Sequence, residues 1–192
     1  MDTARPRIKK ALVRLLNNND FSKLTTTQIC REASLSRVTF YIWYDSKEAL
    51  LDDYFQDMVD DGVEYYKKHW RTITNDNLGA SYHNLLDTIF YLYGRYIEFM
   101  ERVYDASGHS DVVLYSHYHT IVMQKILSLT ELHKDQIAPP LRTREVVTFS
   151  LNGLSSMIRD GFTSGMSAEE IRADANLILD RILCSGLFLR EA

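Results

Sequence analysis

Three prolines and eight glycines in 192 residues leave few places where the chain is obliged to turn. That scarcity argues against a loop-rich or all-β fold, which uses both residues at its many turns. Cysteine is scarcer still. Cys30 and Cys184 stand far apart, each inside a helical pattern, and are expected as small buried residues, not as a disulfide or a metal pair. No apolar run approaches the length of a membrane span, and the basic start MDTARPRIKK leads into no apolar signal core. The expected compartment is therefore the cytoplasm, with no membrane partner. Also missing are an H-E-x-x-H or C-x-x-C pattern, a Gly-rich phosphate loop and a G-x-S-x-G elbow. Among six histidines, His117 and His119 come nearest to a pair, but two residues apart they point to different faces of a helix. Ser110-Asp111 beside His109 needs no explanation beyond chance. The expectation is a protein that is not an enzyme and holds no metal or cofactor.

What is present is an ordinary globular composition, 45% hydrophobic and 25% charged. The net charge of −4 conceals an asymmetry. Residues 1–50 hold nine Lys/Arg against five Asp/Glu, a net +4, and the other 142 residues hold thirteen against 21, a net −8. A basic module on an acidic body suits a DNA reader joined to a separate sensing domain.

Helical periodicity runs through the whole chain. Ile8, Ala11, Leu12, Leu15 and Leu16 form one apolar stripe, and Lys9, Lys10 and Arg14 fall off it and should face water. Asn17-Asn18-Asn19-Asp20 ends this helix. Thr25-Thr26-Thr27-Gln28 has the spacing of a capping box, so a second helix should start at Thr25, bury Ile29, Cys30 and Ala33, and stop near Ser34-Leu35. The Ser36 hydroxyl can cap a third helix over Arg37 to Trp43. Two short helices joined by a tight turn are the outline of a helix-turn-helix. Asp45-Ser46-Lys47-Glu48 opens a long fourth helix with Leu50, Leu51, Tyr54, Phe55 and Met58 on one side. Breaks at Asn75-Asp76-Asn77, Ser107-Gly108, Pro139-Pro140 and Thr163-Ser164-Gly165 divide the remainder. Helices are predicted over about 78–103, over one or two segments up to about 134, over 141–163, and over 168–189 behind the capping box Ser167-Ala168-Glu169-Glu170.

One stretch points to function: Ala33-Ser-Leu-Ser-Arg-Val-Thr-Phe-Tyr-Ile-Trp-Tyr-Asp-Ser-Lys-Glu-Ala-Leu-Leu51. A recognition helix needs one face to dock and another to enter the major groove. Phe40 and Tyr44, four apart, suit the docked face, against Leu12, Ile29 and Leu50. Arg37 and Val38 lie in the first turn, where guanine edges and thymine methyl groups are read. With the preceding T-T-x-x-I segment, this stretch resembles the signature of the TetR (tetracycline repressor) family in register from Phe21 to Leu51. Two positions depart from it: Ser34 stands where the turn glycine is usual, and Trp43 where His or Tyr is usual. Trp43 keeps a single indole donor and is open to reading as a packing residue.

The resemblance implies an all-α chain, with a three-helix helix-turn-helix domain over 1–47 and a helical effector-binding and dimerisation domain over 48–192. It implies a homodimer on a palindromic double-stranded operator, a small-molecule effector, and a repressor relieved by that effector. A transcriptional activator of the same fold is one alternative, and a helical small-molecule-binding protein without DNA binding is the other. The DNA-contacting positions are Thr25, Thr26, Thr27, Ser36, Arg37, Val38, Thr39, Tyr41, Trp43 and Lys47, with Lys47, Thr39, Tyr41 and Trp43 gripping phosphates.

Aromatics are dense between Tyr65 and Tyr118, through packing between helices or as the lining of an effector pocket. Pocket candidates are Phe90, Tyr93, Tyr96, Phe99 and Met100, facing Tyr115, Tyr118 and Met123. Val147, Leu151, Leu154, Met157 and Ile158 form one stripe, and Ile171, Ile178, Ile182 and Leu189 another. These read as a four-helix dimer surface, with Val147, Leu151, Leu154, Ile158, Ile178 and Ile182 at its centre, or as core within one chain.

Overall fold

A computed structural model describes residues 4–70, 78–103, 111–186 and Phe188, and all its regular elements are helical. The head comprises α1 (Ala4–Leu16), a 3-10 turn (Phe21–Lys23), α2 (Thr26–Glu32) and α3 (Arg37–Trp43). From it runs α4 (Lys47–Trp70), followed by α5 (Leu78–Arg95), α6 (Ile97–Val103), α7 (Val112–Thr130), a 3-10 turn (Glu131–Gln136), α8 (Thr143–Thr163) and α9 (Ala168–Cys184).

The start signals act as expected. The Thr25 hydroxyl accepts from Gln28 N at 3.3 Å while Gln28 Oε1 accepts from Thr25 N at 2.8 Å, a closed capping box. Ser36 Oγ accepts from Thr39 N at 3.0 Å, Ser46 Oγ from Ala49 N at 3.1 Å, and Ser167 Oγ from Glu170 N at 3.2 Å. Two boundaries differ from the expectation. The helix predicted over 78–103 is interrupted at Tyr96, two residues after Gly94, a poor helix former, and one residue after α5 ends. The last helix ends at Cys184 and not at 189, because Gly186 adopts φ 66°, the left-handed stop of a helix. The proposed breaks at 75–77 and 107–108, with His109, Tyr104 and Leu189, lie outside the described residues.

One buried cluster runs from the head into the body, from Ile8, Leu12 and Phe40 through Leu51 and Phe55 to Phe99, Leu114 and Ile158. The helix faces therefore have little freedom to move separately. At Gly62 a Cβ would lie 2.9 Å from Leu92 Cδ1, so α4 and α5 meet where only hydrogen fits without adjustment. The same device joins α8 to α9, where a Cβ on Gly161 would lie 2.6 Å from Ile171 Cγ1.

Two sequence expectations are corrected. Lys9 does not face water; it is buried against α4, with Nζ 2.7 Å from Asp53 Oδ2 and 2.6 Å from Asp57 Oδ2. Cys184 is not buried but exposed at the end of α9, whereas Cys30 is in the core.

Candidate nucleic-acid interface

The presentation of α3 begins with the residues that hold its back. Phe40 is fully buried, and Tyr44, just past its end, is nearly so, with ring centroids 5.7 Å apart. The Tyr44 hydroxyl donates to Asp53 Oδ2 at 2.6 Å. Arg5 and Lys9 of α1 converge on the same carboxylate, Arg5 Nε at 2.9 Å from Oδ2. Burial works to raise the pKa of Asp53, but the hydrogen bonds from Arg5, Lys9 and Tyr44 together outweigh it and hold the carboxyl well below the usual carboxylate range. Burial, reinforced by the bond to Asp53, pushes the Tyr44 phenol well above its usual range, so it remains a donor. This network fastens α1, α3 and α4 into one unit.

With its back fixed, α3 turns a strip of side chains to solvent. Val38 is 73% exposed and Ile42 71%, one helical turn apart on one face, flanked by exposed Arg37, Tyr41 and Trp43. The Arg37 guanidinium lies 5.8 Å from the centre of the Tyr41 ring. Large apolar side chains left in water on an anchored helix ask for a partner surface. Ile42 is absent from the sequence-derived set; its place one turn beyond Val38 was the signal that could have found it.

The turn before α3 adopts the conformation its sequence makes expensive. Ser34 has φ 52°, the left-handed region that favours glycine. Arg7 of α1 secures it, donating to the carbonyls of Ala33 at 2.7 Å and Ser34 at 3.0 Å.

Other candidates are already engaged. Lys47 Nζ donates to the carbonyl oxygens of Phe21 at 2.8 Å, Leu24 at 2.9 Å and Ser22 at 3.1 Å, and lies 4.7 Å from the Phe21 ring centre. All three ammonium protons are occupied in closing the 3-10 turn, which gives Lys47 a structural part. Thr25 Oγ1 also donates to Gln28 Oε1 at 2.7 Å, and the Ser36 and Thr39 hydroxyls share a bond of 2.8 Å. Thr27 is exposed and Thr26 half-buried. The candidates left exposed without an internal hydrogen bond described above are thus Thr27 on α2 and Arg37, Val38, Tyr41 and Trp43 on α3, joined there by Ile42.

A contact without any sequence signal ties this head to the body. Asp111 is buried at the start of α7; its Oδ1 accepts from Val113 N at 3.0 Å and Leu114 N at 3.2 Å, capping the helix. Its other oxygen accepts from the backbone N–H of Phe21 at 2.5 Å, 90 residues away in sequence. Arg102 of α6 approaches Asp20 in the same loop at 3.5 Å.

The expected pocket and dimer residues all belong to the body. Phe99, Met100 and Tyr118 are buried, with Phe99 edge-on to Phe55 at 5.5 Å, and Tyr93 stacks on Phe162 at 4.3 Å. Tyr96 donates to Asp61 Oδ2 at 2.6 Å. Phe90, Tyr115 and Met123 are partly buried against the same core. These side chains pack between helices, and a cavity of about 250 Å³ lies among α5, α7, α8 and α9. On α8, Val147, Leu151 and Ile158 are buried within the chain itself. The apolar side chains that α8 and α9 expose are Phe149, Leu177 and Ile178, with Leu154 and Ile182 half-buried beside them. Among the described residues no cluster suited to a metal ion occurs, and no helix is long and apolar enough to cross a membrane.

Comparison with known proteins agrees with this geometry. Residues 8–54, which span α1 to the first turns of α4, match the model of the bacterial regulatory proteins of the tetR family. A stretch of 57 residues is 32% identical to an HTH-type transcriptional regulator, YxbF, of Bacillus subtilis (strain 168), covering 30% of this chain and 15% of that protein. The fold is shared along nearly the whole chain. A TetR-family transcriptional regulator from Syntrophomonas wolfei is 10% identical, with 95% of each chain covered and a TM-score of 0.72. SmeT, the repressor of a multidrug efflux pump of Stenotrophomonas maltophilia, is 12% identical, with 100% of this chain and 93% of that one covered and a TM-score of 0.66. Residues 8–54 thus resemble the amino-terminal segment of the tetR family of bacterial regulatory proteins, and nearly the whole chain shares the all-helical fold of these solved structures.

Proposed function

We propose that the chain is a sequence-specific DNA-binding transcriptional regulator, a homodimer whose hold on a palindromic operator is relieved by a small organic effector. The observation that carries this reading is α3: a helix fixed at its back by Phe40 and Tyr44 and bare at its front at Arg37, Val38 and Ile42. Arg37 provides the bidentate donor pair that guanine accepts in the major groove, and Val38 and Ile42 suit thymine methyl groups. A half-site combining a guanine with neighbouring thymines is the corresponding DNA chemistry. A two-fold through the exposed faces of α8 and α9, where Phe149, Leu177 and Ile178 lie, would supply two such heads and hence a palindrome.

Relief by an effector follows from how the head is held. The Asp53 network, the Lys47 cap and the Asp111 bridge each join the head to α4 or α7, so displacement of those helices reaches α3. An effector that favours a displaced position of α4 must weaken DNA binding by the same factor that DNA weakens effector binding. A gel-shift with the DNA upstream of the chain's own gene tests the reading, and retarded bands competed by that DNA but not by random duplex are expected. No shift at micromolar protein would contradict it. Higher expression of that gene on deletion of the regulator is the expected sign for repression, and lower expression would mean activation.

A further inference from the structure

The turn between α2 and α3 sets the direction in which the exposed strip of α3 points, because α3 is only seven residues long and begins just beyond it. The Ser34 N–H donates to the Arg31 carbonyl at 3.1 Å and the Leu35 N–H to the Cys30 carbonyl at 2.9 Å. This pair of bonds ends α2 and needs a left-handed residue at its corner, which glycine adopts without strain. Here Ser34 adopts it, at φ 52°. A side chain at such a corner lowers the population of the bent form by about fivefold relative to glycine. The Arg7 guanidinium meets the two carbonyls that this conformation brings together. A single nitrogen, Nη2, donates to Ala33 O at 2.7 Å and to Ser34 O at 3.0 Å. It reaches both oxygens only while the two carbonyls converge, and rotation of Ser34 into the right-handed region turns its carbonyl away. Two residues earlier on α1, Arg5 holds Asp53, which also receives the Tyr44 hydroxyl from beyond the far end of α3. The start of α1 therefore grips the recognition segment at both ends, through side chains that leave the helix on different faces.

We propose that Arg7 is a positioning residue for base reading, which stands in for a turn glycine by holding Ser34 left-handed and so fixes the angle at which α3 meets DNA. The consequence for DNA rests on the regulator reading above; the clamp itself does not. Hydrogen bonds from a charged donor to two carbonyls are strong enough to offset the strain of the serine. Without them the fraction of chains that present α3 correctly falls, and affinity for a specific site falls with that fraction. Random duplex is held by attraction to phosphates, which depends far less on the pose of α3. The rival role for an exposed arginine is a phosphate contact, and the two roles leave different marks. A phosphate contact acts on every sequence, adds about 0.9 to the log–log salt slope and is indifferent to the residue at position 34. A clamp acts on the specific site alone, leaves the slope unchanged and becomes dispensable once a glycine makes the turn unaided.

The test compares the full-length wild type, Arg7→Met, Ser34→Gly and the double variant, each titrated against the DNA upstream of the chain's own gene and against random duplex at several salt concentrations. Arg7→Met should lower affinity for the upstream DNA by about fivefold, with random duplex nearly unaffected and the salt slope unchanged. In the Ser34→Gly background the same substitution should cost less than about twofold. Hydrogen exchange without DNA reads the clamp directly. The Ser34 and Leu35 amides should exchange about fivefold faster in Arg7→Met and regain their protection in the double variant. Should Arg7→Met alone not fold, recovery of the fold in the double variant is the same rescue, and failure of both overturns the proposal. Equal loss on both DNAs with a smaller slope, a loss that persists beside Ser34→Gly, or amide protection indifferent to Arg7 each overturns it as well. A chain whose amides follow the expected pattern but which retards no DNA loses only the regulator reading. One that retards its DNA while those amides ignore Arg7 loses only the clamp.

Discussion

At φ 52° the Ser34 side chain crowds its own backbone, and nothing about its exposed position offsets that directly. Ser34→Gly should stabilise the chain by about 1 kcal/mol in chemical denaturation. No gain would mean that the Arg7 bonds to the Ala33 and Ser34 carbonyls depend on the serine. Lys47 separates two roles that charge alone confounds. Because its ammonium closes three carbonyls, Lys47→Met should lower stability by about 1–3 kcal/mol while leaving the DNA affinity of the folded fraction nearly unchanged. Paired denaturation and binding curves check this; lost affinity at unchanged stability would favour the phosphate role. At this scale the sequence was legible where chemistry is local, as in the hydroxyl caps of Thr25, Ser36 and Ser167. It was illegible where a partner lies far along the chain. Lys9 looked solvent-facing because the carboxylates that cover it come from α4.

The elements of the head have no independent position, since α1, α3 and the 3-10 turn are each fastened to α4 or α7. The Asp111 bridge is the narrowest of these ties, one oxygen capping α7 and the other holding the Phe21 amide. Asp111→Asn retains one acceptor for the cap but faces Phe21 N–H with another donor. Hydrogen exchange should show the Phe21 amide losing protection while the amides of Val113 and Leu114 keep theirs. Equal loss at all three would mean that the bridge and the cap are one device. Helix existence was readable from apolar spacing and caps along the whole chain. The break at Tyr96 and the early end at Gly186 depended on single glycines whose effect periodicity does not rank.

In the whole molecule, the amino-terminal head is joined to a body whose own core already covers Val147, Leu151 and Ile158. Their periodicity was correctly read, but an apolar stripe looks the same whether a neighbour helix or a second copy covers it. The same ambiguity holds for Tyr93, Tyr96 and Phe99, which pack between helices, while a cavity lies beside Tyr82. By contrast the outward face of α3 follows directly from its docked face, which Phe40 and Tyr44 announced. The central claim is that this outward face reads bases, and it is tested most directly by titrating wild type and Arg37→Ala against operator and random duplex at matched salt. Loss of about 1–3 kcal/mol on the operator, with affinity for random duplex nearly kept, is the predicted result. Equal loss on both DNAs, or none on either, would contradict the account.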